Sequence, residues 1–224
     1  MSNTYQPRPG LAGKLQQIKQ FGFWRTCLAS LLVLPRRWVE FEICQVAWSH
    51  NINDYGCPEG FDMQMVQSRE EFAQWADAAT QRSHERAFAS GDICVVTLHD
   101  NQLVGYNFYS SSATPVNSQV KFLIGGAYTY SYGAFTHPDY RGLGLSPARW
   151  TFARNWRLSQ GRNHPTIYYI ALNNLASLSS GSQERRLIGY TGYLRLPVRK
   201  QGEPHTYCFR SPGCKRNQVG FVRA

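Results

Sequence analysis

The stretch Arg141-Gly142-Leu143-Gly144-Leu145-Ser146 constrains the fold of this chain more than any other. Before it, Ala127 to Thr136 alternates at period two, with Tyr128, Tyr130 and Tyr132 on one face. That run reads as a strand broken by His137-Pro138-Asp139. After it, Gly144 to about Ser159 has helical periodicity, with Pro147 tolerated in the first turn. Two glycines between a strand and a helix allow a tight turn whose N–H groups point one way, at the positive end of the helix dipole. Arg141 adds a cation. The arrangement suits a diphosphate, although tight turns that bind nothing are the commoner case. It is neither a Walker loop, because no Gly-Lys-Ser/Thr follows, nor a dinucleotide fingerprint.

The flanking elements set the fold class. Leu11, Leu15, Ile18, Leu28, Leu31 and Leu32 recur at helical spacing from Leu11 to about Leu34, with Lys14, Lys19 and Arg25 between them. This predicts a basic amphipathic helix, open to interruption at Gly22 and ended by Pro35. Strands are expected at Val39–Ala47 and Phe61–Val66. Ser68 with Glu71 forms a capping box for a helix reaching about Ala89. Ile93–His99 and Gln102–Ser110 form a hairpin on Asp100-Asn101. Val120–Ile124 is a short strand and Pro165–Ala171 an apolar, central one. Leu175–Leu187 reads as a helix stopped by Gly189, and Tyr193–Val198 pairs with His205–Arg210. The order predicts an α/β fold with a mixed, mostly antiparallel central sheet flanked by helices. Residues 1–45 are read as a basic helical extension and 46–224 as the main domain.

Gly133 to Ser146 resembles the acyl-CoA-binding motif of the GNAT N-acyltransferase superfamily, where a strand runs through Pro-acid-Tyr-Arg-Gly-x-Gly into a helix. Ile170-Ala171-Leu172-Asn173-Asn174-Leu175-Ala176-Ser177 with Leu187-Ile188-Gly189-Tyr190 is similar to the family's second signature. Leu103-Val104-Gly105-Tyr106 matches a softer third one. The resemblance covers roughly residues 61–212. It implies a GNAT-like fold and acetyl-CoA, or another acyl-CoA, as co-substrate, with no metal.

The resemblance also assigns roles. Backbone groups of Phe135 and Thr136 would take the pantetheine arm. Arg141 and the N–H groups of Gly142, Leu143, Gly144, Leu145 and Ser146 would hold the pyrophosphate. Asn174 would lie against the pantetheine, its bland alternative being a helix cap. Arg149 would reach toward the 3′-phosphate. Chemistry would be direct attack of a primary amine, such as an amino sugar, on the thioester. The positions of the family's base are Tyr132 and Tyr130; tyrosine is a poor base at neutral pH but can order a water. Both can equally be sheet aromatics packed in a core. The family's usual acid position holds Arg185, which leaves Tyr190 or water to protonate the thiolate.

Charge adds partners. The net charge of +10 is uneven: residues 1–39 carry six bases and no acid, 40–140 four bases against twelve acids, and 141–224 fourteen bases against two acids. The basic parts would attract a polyanion. The N-terminal helix could lie on an anionic membrane surface, pack on the domain or make a homodimer contact. On a membrane, a lipid amine becomes a plausible acceptor. A non-catalytic CoA-binding module is the rival reading. A nucleic-acid binder is disfavoured, because the arginines are spread over several elements without a recognised motif. Scattered cysteines without C-x-x-C, histidines without metal spacing and no apolar run near roughly 20 residues lead to an expected cytoplasmic protein, peripheral to the membrane's inner face if the helix binds lipid.

Overall fold

The computed structural model describes residues 11–33, 39–49, 53–179, 185–196 and 205–224. In chain order the elements are α1 (Leu11–Phe21), α2 (Phe23–Val33), β1 (Glu40–Ser49), β2 (Phe61–Val66), α3 (Arg69–Phe72), α4 (Ala78–Ala89), β3 (Ile93–His99), β4 (Gln102–Ser110), β5 (Thr114–Pro115) and β6 (Val120–Leu123). Then come β7 (Thr129–Thr136), α5 (Leu145–Ser159), β8 (Thr166–Ala171), α6 (Leu175–Ser179), β9 (Arg186–Leu196), β10 (His205–Arg210), α7 (Pro212–Arg216) and β11 (Gly220–Arg223). This is an α/β fold with mixed, mostly antiparallel sheet flanked by helices. Two compact units share it: Ser49–Ser112 with Gly126–Tyr168, and Ser2–Trp48 with Ala113–Gly125 and Tyr169–Ala224.

In the first unit the strands run β2-β3-β4-β7 as antiparallel neighbours, and β8 joins β7 in parallel. β3 and β4, at the centre, are buried on both faces. Val66, Phe72, Ala87, Cys94, Val96 and Phe108 form one core beneath α3 and α4, and Met63, Val95, Val104, Tyr109, Leu145 and Ala148 form the other beneath α5. Full burial of a side chain such as Phe72 or Phe108 contributes about 2–3 kcal/mol. The β3–β4 hairpin turns on Asp100 and Asn101, both at positive φ (49° and 60°), the primed-turn geometry that Asp and Asn tolerate.

In the second unit β10-β9-β1 are antiparallel, and β6 pairs with both β11 and β5 in a small separate sheet. The rings of Phe122, Tyr169, Tyr193 and Phe221 pack edge to face or tilted at its centre. Glu40 ties the unit together, accepting from Arg195 Nη1 (2.9 Å) and Asn117 Nδ2 (3.1 Å).

Several boundaries depart from the sequence reading. The N-terminal helix does not: it breaks at Gly22 (φ 86°), the interruption its sequence left open. The helix expected from Ser68 to Ala89 is two helices. Ser68 caps α3, accepting from Glu71 N (3.1 Å), and the Glu71 carboxylate accepts from Gln67 N (2.8 Å). Asp77 then starts α4 by accepting from Thr80 N (2.8 Å), a cap inside what looked like one periodic run.

The helix expected over Leu175–Leu187 is described only as far as Ser179, and Arg186 onward is strand. Gly189 therefore ends no helix. It lies in β9, where a Cβ would strike Ser211 Oγ at the start of α7, so the glycine serves close packing. Residues 1–10, Pro35, Arg36-Arg37 and Val198 lie outside the described residues.

Candidate functional site

β7 carries the site because both of its edges change partway along. Its ladder with β8 consists of Thr129 with Thr166 and Tyr130 with Ile167, although β7 continues to Thr136. On the other edge the register with β4 slips: Phe108 faces Tyr132 and Tyr106 faces Phe135, so Gly133 and Ala134 oppose Asn107 alone. That is a β-bulge, and Gly133 at its first position adopts the left-handed conformation (φ 61°) of the glycine type of bulge. Gly133 and Ala134 are exposed. An extended ligand bearing amides can add to a strand edge of this kind.

The turn after β7 is held in place. His137 N donates to Val104 O (2.8 Å), Pro138–Tyr140 form one 3₁₀ turn, and Tyr140 packs its ring on Phe61 and His99. Arg141 is exposed and its Nε donates to Thr136 O (3.1 Å). Gly142 and Gly144 follow at φ 85° and 76°, and a Cβ on either would meet open space. These glycines are needed for backbone conformation rather than for room.

α5 then begins at Leu145 with Gly144 as an N-cap that offers no side chain. The N–H groups of a first helical turn have no partner within the helix. Pro147 has none to offer, so Gly144, Leu145 and Ser146 present the donors. Leu145 anchors the turn, being buried among Val95, Val104 and Ala148, while Leu143 and Ser146 are exposed.

Arg149 is a correction. The sequence reading aims it at a 3′-phosphate, but it is 1% exposed beneath β7. Its Nη2 donates to Phe135 O (3.0 Å) and Thr136 Oγ1 (2.6 Å), and Nη1 to Thr97 Oγ1 (3.1 Å). Burial lowers its pKa to about 10, so it keeps its charge at neutral pH. It fixes the end of β7 from below, and with Arg141 it occupies the carbonyls of Phe135 and Thr136.

Tyr130 and Tyr132 stack with ring centres 5.2 Å apart. Tyr130 is buried and Tyr132 half-buried. The Tyr132 hydroxyl donates to Asp92 Oδ2 at 2.5 Å. Burial, together with Asp92 accepting that hydrogen, holds the Tyr132 phenol well above its ordinary range. Burial also pushes the Asp92 carboxyl up, against hydrogen bonds from Ser110 and Tyr132.

Asp92 escaped the sequence reading because Gly91-Asp92 looks like a turn. His84 escaped it too. Its ring stacks on Phe108 (4.5 Å), Nε2 lies 3.2 Å from Tyr106 Oη, and Cε1 lies 3.7 Å from where a Gly133 Cβ would be. Burial lowers its pKa to about 4, leaving a neutral imidazole against the bulge at pH 7. An α4 face bearing His84 beside Phe88 was the available signal.

The other two predicted site residues belong to the second unit. Asn174 caps α6, its Oδ1 accepting from Ser177 N (3.1 Å). Tyr190 is exposed on β9 opposite Gln45, and its N–H donates to Ser211 Oγ (3.0 Å). It lines a cavity of about 240 Å³ with Phe21, Arg25, Gln45, Leu172, Leu175 and Leu178. Arg185 Nη1 donates to Leu178 O (3.3 Å). A larger cavity, about 310 Å³, lies in the first unit around Phe61, Asp62 and Asp100, and no predicted site residue lines it. Among the described residues no three His, Cys, Asp or Glu side chains gather as a metal site, and no helix is long and apolar enough to cross a membrane.

No family model and no curated protein matches the chain. Among solved structures it is similar to a functionally unknown conserved protein from Staphylococcus epidermidis, at 11% identity over 84% of this chain and 81% of that one (TM-score 0.49). It is similar to a GCN5-related N-acetyltransferase from Kribbella flavida, at 14% identity over 78% and 66% of the two chains (TM-score 0.47). It is also similar to the tandem GNAT protein of the clavulanic acid biosynthesis pathway, at 14% identity over 68% of this chain and 53% of that one (TM-score 0.46).

Proposed function

We propose that the chain is a GNAT-type N-acyltransferase that takes an acyl group from acyl-CoA and passes it to a primary amine. The observation that carries this reading is the course of β7. Its edge toward β8 has no ladder beyond Tyr130, its opposite edge is bulged against β4 at Gly133–Ala134, and the strand continues into a glycine turn that presents helix-start donors. A pantetheine arm has the length and the amides to follow the strand edge. A diphosphate has the charge to end on Gly144, Leu145 and Ser146 beside Arg141. The open space at Gly142 and Gly144 fits that use.

In the reaction, the amine nitrogen adds its lone pair to the thioester carbonyl carbon. The tetrahedral oxyanion collapses and the C–S bond breaks. The CoA thiolate leaves, taking a proton from solvent, and the ammonium proton passes to water. Tyr132 is no base here: it remains a phenol whose proton is directed at Asp92. Its role in this reading, with Tyr130 stacked on it, is to shape the wall beside the thioester and order the water that removes the proton. The acceptor is a small amine such as an amino sugar.

The test is calorimetric titration with acetyl-CoA, followed by thiol release over a panel of amines. Binding together with amine-dependent thiol release supports the reading. Absence of CoA binding, or binding indifferent to Gly142→Val, sinks it. The position of Arg185 where an acid is expected favours a CoA-binding module as the second reading, which thermal stabilisation by acetyl-CoA without turnover would single out.

A further inference from the structure

The N-terminal helix α2 is amphipathic the wrong way round. At 100° per residue, Trp24 and Leu31 lie within about 20° of each other on one face, and Thr26 and Ala29 lie on the opposite side. The face packed into the protein is the one with Thr26 (3% exposed) and Ala29 (8%), and Thr26 Oγ1 turns back to donate to Gly22 O (2.9 Å). The face turned to solvent carries Trp24 (81% exposed) and Leu31 (61%). Phe23, edge to face with Trp24 at 5.4 Å, is more than half exposed, as is Leu15 on α1. Lys19 and Arg25 are exposed beside them. Soluble proteins rarely leave such a cluster to water without a partner for it.

We propose that this face of α1 and α2 seats the protein on an anionic lipid membrane, with Trp24, Phe23, Leu15 and Leu31 entering the headgroup–acyl boundary and the flanking cations meeting lipid phosphates. Charge chooses the occupant. Residues 1–39 hold six bases and no acid. A second copy of the chain would bring its own Lys19 and Arg25, like charges, to the same contact, whereas an anionic bilayer supplies the opposite charge and an apolar phase together. A nucleic acid supplies the charge, and bases on which Trp24 can stack, but no apolar phase for Leu15 and Leu31. Aromatic side chains at the level of the headgroups, with basic residues beside them, are what an interfacial helix needs. This surface is independent of the acyl-transfer reading and stands or falls without it.

The experiment is flotation of the full chain with phosphatidylcholine vesicles that either contain or lack phosphatidylglycerol, at low and high salt. Flotation with the anionic vesicles is expected, weakening with salt. The double variant Trp24→Ala/Leu31→Ala should lower the bound fraction about tenfold or more while unfolding at an unchanged temperature. Lys19→Glu should weaken the preference for phosphatidylglycerol. Failure to float, or flotation indifferent to Trp24 and Leu31, overturns the proposal. So does a dimer in light scattering that Trp24→Ala dissociates, because the face is then covered by a second copy. Retention of the chain on a DNA oligonucleotide without flotation overturns it as well.

Discussion

The guanidinium of Arg149 occupies the space that a side chain at position 105 would need: a Cβ built on Gly105 would collide with Arg149 Nη1 and crowd Phe135 O. Gly105 on β4 and Arg149 on α5 are therefore a matched pair, and what they hold is the end of β7. Gly105→Ala must push aside a buried cation that bonds Thr97, Phe135 and Thr136, leaving those groups underpaired. A loss of about 2–4 kcal/mol is expected, measured by urea unfolding. A neutral result would show that Arg149 can relocate freely.

Gly144→Ala separates backbone strain from ligand contact. The added methyl group meets nothing within 4 Å, so the stability cost comes only from holding alanine at φ 76°. That is about 1 kcal/mol. Affinity for acetyl-CoA should fall roughly tenfold as the turn relaxes and its donors turn away. Thermal unfolding and calorimetry on the same variant read the two effects. Unchanged affinity would place the diphosphate elsewhere.

The strand–turn–helix around Arg141 was legible because each piece has a local cause: alternation before the turn, two positive-φ glycines in it and a helix-compatible Pro147 after it. The hairpin on Asp100-Asn101 was legible for the same reason. What escaped was set by tertiary contact. Arg149 looks like any basic residue on a helix until β4 and β7 close over it. Gly189 looks like a helix stop until Ser211 is packed against it. The Asp92–Tyr132 bond joins residues forty positions apart, and neither the turn nor the strand announces it. The break between Phe72 and Ala78 hid because Ala, Phe and Trp keep helical spacing across an Asp77 cap.

His84 makes the fold sensitive to mild acid. Its pKa falls from 6.5 in the unfolded chain to about 4 in the fold, chiefly through burial, so protonation favours unfolding. The stability it permits is complete above about 6.5 and is lost as pH falls toward 4. His84→Phe should flatten that part of the stability-versus-pH curve, followed by melting temperature across the window. An unchanged slope would mean that the ring protonates in place.

Asp92 works with the opposite sign. Burial raises its carboxyl above the ordinary 3.8, so the ionised form is the one the fold disfavours. Its contribution is fully present below the unfolded value and is lost as pH rises through the folded one. Asp92→Asn keeps an acceptor for the Tyr132 hydroxyl while removing the charge. The variant should lose less stability than the wild type as pH rises above about 3.8, and the phenol of Tyr132, freed from a carboxylate acceptor, should titrate lower than in the wild type. Tyr132→Phe removes the hydroxyl donor and should push the Asp92 carboxyl higher still, steepening the same loss. Melting curves of the two variants and the wild type across that range would distinguish this arrangement from one in which Asp92 is solvated, where all three would run parallel.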